Sequence, residues 1–466
     1  MSIASGARVG ARWALVSVLA ANMLVDALEV SATLVALPAV GGGLGAPVTR
    51  VQWILTGFAA GFGGALLLGG RLVEWFGRRR VFLAALLVFA AASLGGALAD
   101  GVGLLVATRV VKGFCVALTA PTGLAIIVAA VPEGDARRRA VSVYSLFGAA
   151  GFCSGLLLSG LLTGLGWRWT LAFPVPVALA LFAAALRVVP REPAVPDGGP
   201  RRYAVLVGGA STGAALLLVD ASSSGRWGGA VAAAVLVLVC VRAERASPHP
   251  LVDTALLRHA PLVRSALGAA ALNGSYVSFL LVAALDLRRD GWSAWETALG
   301  FLPAAAPLAL TALHSGRIAA RLGPARAVAA GALAAPAGYA LYPDSGAGGV
   351  RYVELLPSMS LVGLAFVLAF TALHLQATGS LHPGLRTAAG GLYQTCVQLG
   401  AALTPALTSA LYTTSGPGAA LGLVTAVGLA GAGVALAGLV HPSTEPSREP
   451  PTPLPAAVPP TNRKAS

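Results

Sequence analysis

The sequence predicts an all-α integral membrane protein with fourteen transmembrane helices, arranged as two six-helix halves plus two inserted central helices. Three observations carry this. The 466 residues are 56% hydrophobic and only 11% charged, whereas a soluble domain is about a quarter charged. Apolar runs recur along nearly the whole chain, each close to the roughly 20 residues that cross a bilayer as a helix. Alternate loops carry the basic residues. Because the runs are continuous and rich in Ala, Leu and Gly rather than alternating, a membrane β-barrel is excluded.

Taken in order, six apolar runs lie near 14–37, 51–69, 81–99, 102–129, 141–163 and 169–188. The first follows only Arg8 and Arg12 and continues through Glu29 to Pro38. It therefore reads as a retained span rather than a cleaved signal peptide. Two more runs, near 203–220 and 227–241, follow the Pro- and Arg-containing segment 187–202. The last six are near 263–285, 295–315, 326–342, 353–375, 387–411 and 418–440. This divides the chain into an N-terminal half at 1–190, the two additional helices with their linkers at 191–245, a C-terminal half at 246–440 and a Pro- and Ser-rich tail at 441–466, expected to be disordered.

The positive-inside rule tests the layout, because a miscounted span would scramble the alternation. With the N-terminus inside, 24 of the 32 Lys+Arg fall in cytoplasmic segments and six in outer ones, while Arg109 and Lys112 lie within the fourth span. Both termini are therefore expected in the cytoplasm of a multi-pass protein of the cell membrane. The basic excess, +14 overall, is explained by topology, and no nucleic-acid partner is expected. The four cysteines lie in apolar segments without metal-ligand spacing. No Walker A loop, HExxH, GxSxG or catalytic His/Cys pair occurs. The chain reads as a non-enzyme with no cofactor and no metal, functional as a monomer.

Gly70-Arg-Leu-Val-Glu-Trp-Phe-Gly77-Arg-Arg-Arg80 after span 2 recurs weakly as Gly316-Arg-Ile-Ala-Ala-Arg-Leu-Gly323-Pro-Ala-Arg326 after span 10. Once spans 7 and 8 are set aside, each copy follows the second helix of a six-helix half, the repeat expected of alternating access.

The Gly70 to Arg80 stretch resembles the loop pattern G-x-L-a-D-r-x-G-r-k-r of the major facilitator superfamily, with Glu74 for the Asp and Trp75 for the Arg. Leu28-Glu-Val-Ser-Ala-Thr-Leu-Val-Ala-Leu-Pro38 is similar to the L-D-x-T-x-x-N-x-A-L-P of its fourteen-helix drug:proton antiporter branch, with Glu29 at the acidic position. Leu105-Val-Ala-Thr-Arg109-Val-Val-Lys112-Gly113 is similar to the family's L-x-x-x-R-x-x-Q-G. Gly155-Leu-Leu-Leu-Ser-Gly160 stands where the antiporter pattern reads G-P-x-x-G-G, so Leu156 replaces a proline associated with export. Trp167-Arg-Trp169 is typical of the branch. The resemblance covers about residues 13–440 and implies proton-coupled export of small organic molecules (a drug, antibiotic or secondary metabolite). Uptake or facilitated diffusion, and a non-transporting membrane receptor, are the alternatives.

Charges inside spans are costly unless they are paired or face water. Asp26 and Glu29 share one helix face, as do Arg109 and Lys112. At about 1.5 Å rise per residue, Glu29 lies about 12 Å and Arg109 about 10 Å from the outer ends of their spans, and Asp26 and Lys112 both about 15 Å. If these spans face each other, as the resemblance implies, the expected pairs are Glu29 with Arg109 and Asp26 with Lys112. Protonation of one carboxylate would release its partner; two permanent buried salt bridges are the alternative reading. Gly70 and Gly77 are expected to permit a tight cytoplasmic gating turn beside Arg78, Arg79 and Arg80, with Glu74 capping or pairing with a neighbouring helix end. Tyr393, Gln394 and Gln398 are candidates for the substrate cavity.

Overall fold

The computed structural model describes residues 2–191, 201–224, 227–247, 254–311, 323–343, 349–379 and 385–440, with positions 321, 381 and 382. The second copy of the loop, Gly316 to Arg326, lies largely outside the described residues, as does the tail. Among the described residues the regular structure is all helical. The first set comprises α1 (Ser2–Leu44), α2 (Val48–Val51), α3 (Trp53–Phe76), α4 (Arg78–Ala97), α5 (Val102–Ala130), α6 (Asp135–Leu165), α7 (Trp167–Ala172) and α8 (Pro174–Val188). Then come α9 (Arg201–Ser224) and α10 (Trp227–Ala246). The second set is α11 (Ala260–Arg289), α12 (Ala294–Thr311), α13 (Pro324–Ala340), α14 (Tyr352–Gly379), α15 (Arg386–Ser415) and α16 (Pro417–Val440).

Eight helical segments among the described residues are long and apolar enough to cross a membrane, or nine if the bent stretch ending at Phe76 is one span. Leu87, Leu104, Leu165, Leu206, Val235 and Val353 are exposed on the outside of the bundle, which suits lipid and not water. In a bilayer the backbone is satisfied only inside each helix, so what distinguishes this fold is which helices touch.

The two sets repeat one pattern of neighbours. In the first, α1 packs on α6 and α8, α3 on α5, and α4 on α5 and α8. In the second, α11 packs on α15 and α16, α12 on α14, and α13 on α14 and α16. The sets meet along two reciprocal seams, α3 with α15 and α6 with α12. Helix α9 lies over the first of these, touching both α3 and α15, and packs on α10. Close approach rests on small residues: a Cβ on Gly155 would strike the Leu28 carbonyl across the α1–α6 contact, and one on Gly400 the Ala270 carbonyl across α11–α15.

The repeat extends to the backbone. Gly77 (φ 81°, ψ 147°) precedes α4 and Gly323 (φ 77°, ψ 144°) precedes α13. These are the same conformation, in a region that residues with a Cβ rarely enter. Gly70, by contrast, lies inside α3 with open space where a Cβ would stand. The expected turn is therefore made by Gly77 alone.

The apolar core is divided unequally between the two ends of the bundle. At the end remote from Arg78–Arg80, Leu34, Leu37 and Leu156 of the first set join Ala298, Phe301 and Phe279 of the second in one continuous cluster. Toward the arginine-rich end the first set has a separate core around Leu19, Phe82, Phe89 and Ile127. The sets are thus sealed at one end and part toward the other.

Candidate functional site

Where they part, a cavity of about 530 Å³ lies between the sets, lined from α1, α3, α5 and α6 on one side and α11, α12, α14 and α15 on the other. That is within the usual size for a small-molecule site. Asp26 and Arg109 line its first wall, and Asn273, Tyr276, Gln394 and Gln398 its second. Gln394 and Gln398, one helical turn apart, face the cavity as expected. Tyr393 does not: it is buried, packed edge-on against Phe370 and His374, and its hydroxyl donates to the Phe370 carbonyl at 3.3 Å. One residue is about 100° of helix rotation, enough to turn Tyr393 into the packing.

The charged residues meet between α1 and α5. Arg109 and Lys112 are each 1% exposed and Glu29 3%. Arg109 Nη1 donates to Glu29 Oε1. Its Nε donates to the Ile54 carbonyl of α3 at 3.1 Å and its Nη2 to the Glu29 carbonyl at 3.4 Å, while the guanidinium lies 4.6 Å from the Phe58 ring centroid. The side chain is thereby tied to both neighbouring helices.

Lys112 departs from expectation. Its Nζ lies 2.5 Å from the same Glu29 Oε1 and 4.9 Å from the Phe89 ring centroid. The ammonium is held by the charge of Glu29 and by the face of the ring. Asp26 is not its partner. Asp26 Oδ2 instead accepts from Asn22 Nδ2 and from Thr119 Oγ1, each at 2.8 Å. The predicted Glu29–Arg109 pair is present; the Asp26–Lys112 pair is replaced by one carboxylate shared between two cations and a second held by neutral donors. The cluster thus sets two basic side chains against one carboxyl group, with Asp26 one turn away on α1.

At the arginine-rich end, Glu74 pairs with Arg71 on its own helix at 3.0 Å, on the surface, and among the described residues caps no neighbouring helix. The cap is supplied by Arg79, whose Nη2 donates to the Leu186 carbonyl near the end of α8 at 2.6 Å, where a cation suits the helix dipole. Arg78 and Arg80 occupy the first turn of α4.

Sequence reasoning passed over Asn22, Thr119, Asn273, Tyr276, Phe366 and Phe370. Asn22 had a signal, standing four residues before Asp26. Tyr276, Phe366 and Phe370 form an aromatic run with successive centroids 4.8 Å apart and line the cavity; single aromatics in apolar spans carry no such signal. Among the described residues no three His, Cys, Asp or Glu come together as metal ligands.

A central cavity between two helix sets with the same internal pairing, sealed at one end, is the layout of a transporter, and the sequence of residues 19–405 matches the Major Facilitator Superfamily. The chain belongs to that superfamily. It is accordingly a multi-pass membrane transporter and not an enzyme. It is 32% identical over 420 residues to the puromycin resistance protein pur8 of Streptomyces alboniger, covering 86% of this chain and 82% of the relative. It is 32% identical over 428 residues to the cephamycin export protein CmcT of Amycolatopsis lactamdurans, covering 87% and 85%. The tetracenomycin C resistance and export protein of Streptomyces glaucescens is 29% identical over 426 residues, covering 88% and 77%. Among solved structures, the peptide transporter POT in complex with alafosfalin superposes with a TM-score of 0.70 at 16% identity, covering 92% of this chain and 94% of that one. At that identity the likeness speaks for the fold.

Proposed function

We propose that this superfamily member exports an antibiotic or related secondary metabolite across the cell membrane by alternating access, driven by protons. The observation that carries the reading is the set of four ionisable residues, two carboxylates and two cations, buried at the wall of a cavity closed at one end. Burying charge is expensive, and intramembrane charges mark ion and substrate paths. Relatives covering most of this chain are named for resistance to, or export of, puromycin, lincomycin, cephamycin and tetracenomycin C.

In this reading all fourteen helical runs cross the membrane, including α9, α10, α12, α13 and α15. The halves are 1–190 and 246–440, with 191–245 inserted between them, and the molecule works as a monomer with both termini in the cytoplasm. The arginine-rich end is then cytoplasmic, and the cavity opens inward to collect substrate. Gly77, Arg78, Arg79 and Arg80 act at the cytoplasmic gate, where Arg79 ties α4 to α8.

The test is uptake of puromycin, lincomycin or ethidium into everted membrane vesicles energised by respiration. Accumulation that a protonophore collapses, and that Asp26→Asn abolishes at equal protein level, is expected. Accumulation indifferent to the protonophore would overturn proton coupling. Leu156, in place of the antiporter proline and fully buried, favours uptake as the competing reading; net flux out of everted vesicles would establish it.

A further inference from the structure

The hydrogen bonds around Asp26 distinguish its two oxygens. Asn22 Nδ2 and Thr119 Oγ1 both donate to Oδ2, and among the described residues no hydrogen bond reaches Oδ1. Asp26 itself lines the cavity. Asn22 is 2% exposed and Thr119 2%, so neither is a surface group that happens to lie nearby. An amide NH₂ can only donate, so Asn22 takes up one acceptor direction of Oδ2 and cannot receive a proton from it. Thr119 occupies the second lone-pair direction of the same atom. With both directions of Oδ2 taken, a proton arriving at Asp26 displaces no donor if it goes to Oδ1.

Glu29 offers no such division, since its Oε1 already holds two cations and Glu29 does not line the cavity. We propose that Asp26 Oδ1 is the atom at which this transporter takes up and releases its proton, and that Asn22 and Thr119 are positioning residues that fix Oδ2 as the unprotonated oxygen. This rests on the proton-coupled reading above and assigns it to one carboxylate. Glu29 then serves as the fixed counter-ion of Arg109 and Lys112.

The other titratable groups facing Asp26 are Glu29 on α1, Cys115 on α5 and Tyr144 on α6. Arg109 shares the cavity wall, and Lys112 beside Cys115 completes the α5 contribution. Tyr144 turns its hydroxyl to the Ala120 carbonyl at 2.6 Å, and Tyr276 on α11, across the cavity, turns its hydroxyl toward the Ala304 carbonyl at 3.4 Å. Neither donates to Oδ1. Thr119 has a fallback acceptor in the Cys115 carbonyl at 3.1 Å, so its hydroxyl stays satisfied if the carboxyl turns on protonation.

The test needs no substrate. The protonated-carboxyl infrared band of the purified full-length protein is titrated with pH and assigned by its loss in Asp26→Asn. Wild type and Thr119→Ser, which keeps the hydroxyl, are expected to share one midpoint. Asn22→Ala and Thr119→Val, each removing a donor to the ionised carboxylate, are expected to move it to higher pH by about half a unit or more. Should one of these fail to fold, the other paired with Thr119→Ser decides. Midpoints that coincide with wild type in both variants overturn the positioning role, and an infrared spectrum unchanged by Asp26→Asn overturns Asp26 as the proton site. Failure of the coupling reading looks different: wild-type transport would ignore the protonophore, whatever the infrared titration gives.

Discussion

The two walls of the cavity are built on the same skeleton and carry opposite chemistry. The wall from α1 and α5 holds Asp26 and Arg109, with Glu29 and Lys112 behind them. The wall from α11, α14 and α15 presents Asn273, Tyr276, Phe366, Phe370, Gln394 and Gln398, with no carboxylate or cationic side chain among them. The helix pairings match from set to set, and so does the backbone at Gly77 and Gly323. Repetition of a fold therefore does not repeat its electrostatics. A charged wall responds to protons; an aromatic and amide wall distinguishes molecules by shape, stacking and hydrogen bonds.

The sharpest test of this contrast is to remove charge from one wall and amide from the other. Arg109→Ala leaves Glu29 with only the Lys112 contact and strips a hydrogen bond from α3. Loss of one partner of a buried pair costs about 3–5 kcal/mol, and the expected outcome is little folded protein, read by size-exclusion profile and thermal unfolding in detergent. Glu29→Gln, which leaves two buried cations without their shared carboxylate, should cost nearly as much, and the double variant Glu29→Gln with Lys112→Gln should recover part of the loss. Equal stability of wild type and Arg109→Ala would break the distinction between the walls.

Close helix contacts should behave alike in both sets. Gly155→Ala and Gly400→Ala each press a methyl against a backbone carbonyl that cannot swing aside, so each is expected to cost about 1–3 kcal/mol in the same unfolding assay. Gly77→Ala and Gly323→Ala, where the backbone and not the space is the obstacle, should each cost about 1–3 kcal/mol. A large difference within either pair would show that the likeness of the two skeletons is superficial.

On the second wall, Gln394→Ala and Gln398→Ala should leave unfolding within about 1 kcal/mol of wild type. They should raise the KM for transport, by up to about tenfold for a hydrogen bond of ordinary strength. The smallest effect is expected at the surface, where Arg138 meets Asp135 one turn away; Arg138→Ala should change stability by less than about 0.5 kcal/mol.

How far the sequence reaches differs between the scaffold and the site. Span positions were legible because hydropathy and loop charge act along the chain axis, and α1, α5, α6 and α11 lie where the apolar runs put them. The meeting of Glu29 with Arg109 was legible because depth follows from residue count and the family resemblance sets their two spans face to face. Rotation about the axis was not. That coordinate turns Tyr393 into the packing and Gln394 into the cavity, and gives Lys112 to Glu29 rather than Asp26. Thr119 was hidden for a further reason: a lone threonine in an apolar span ordinarily bonds its own helix, as Thr33 does to Glu29, and only the partner helix reveals another use. The Gly70 to Arg80 loop was recognisable as a pattern, yet the capping contact fell to Arg79 instead of Glu74, because α8 supplies the acceptor and the loop's own sequence does not name it.

The continuous apolar cluster that closes one end of the cavity also has an electrical meaning. Leu34, Leu37, Leu156 and Phe301 pack there as one apolar layer, and an apolar constriction that excludes water acts as an insulator. In the proposed orientation the membrane voltage is expected to fall mainly over that layer, which would place Asp26 and Arg109, on the cavity wall, near the potential of the arginine-rich side. A single charge carried past the layer exchanges about 2.3 kcal/mol for each 100 mV. An export cycle that carries net charge past this layer draws on the electrical part of the stored gradient, and any substitution that wets the layer would drain the gradient without moving a molecule.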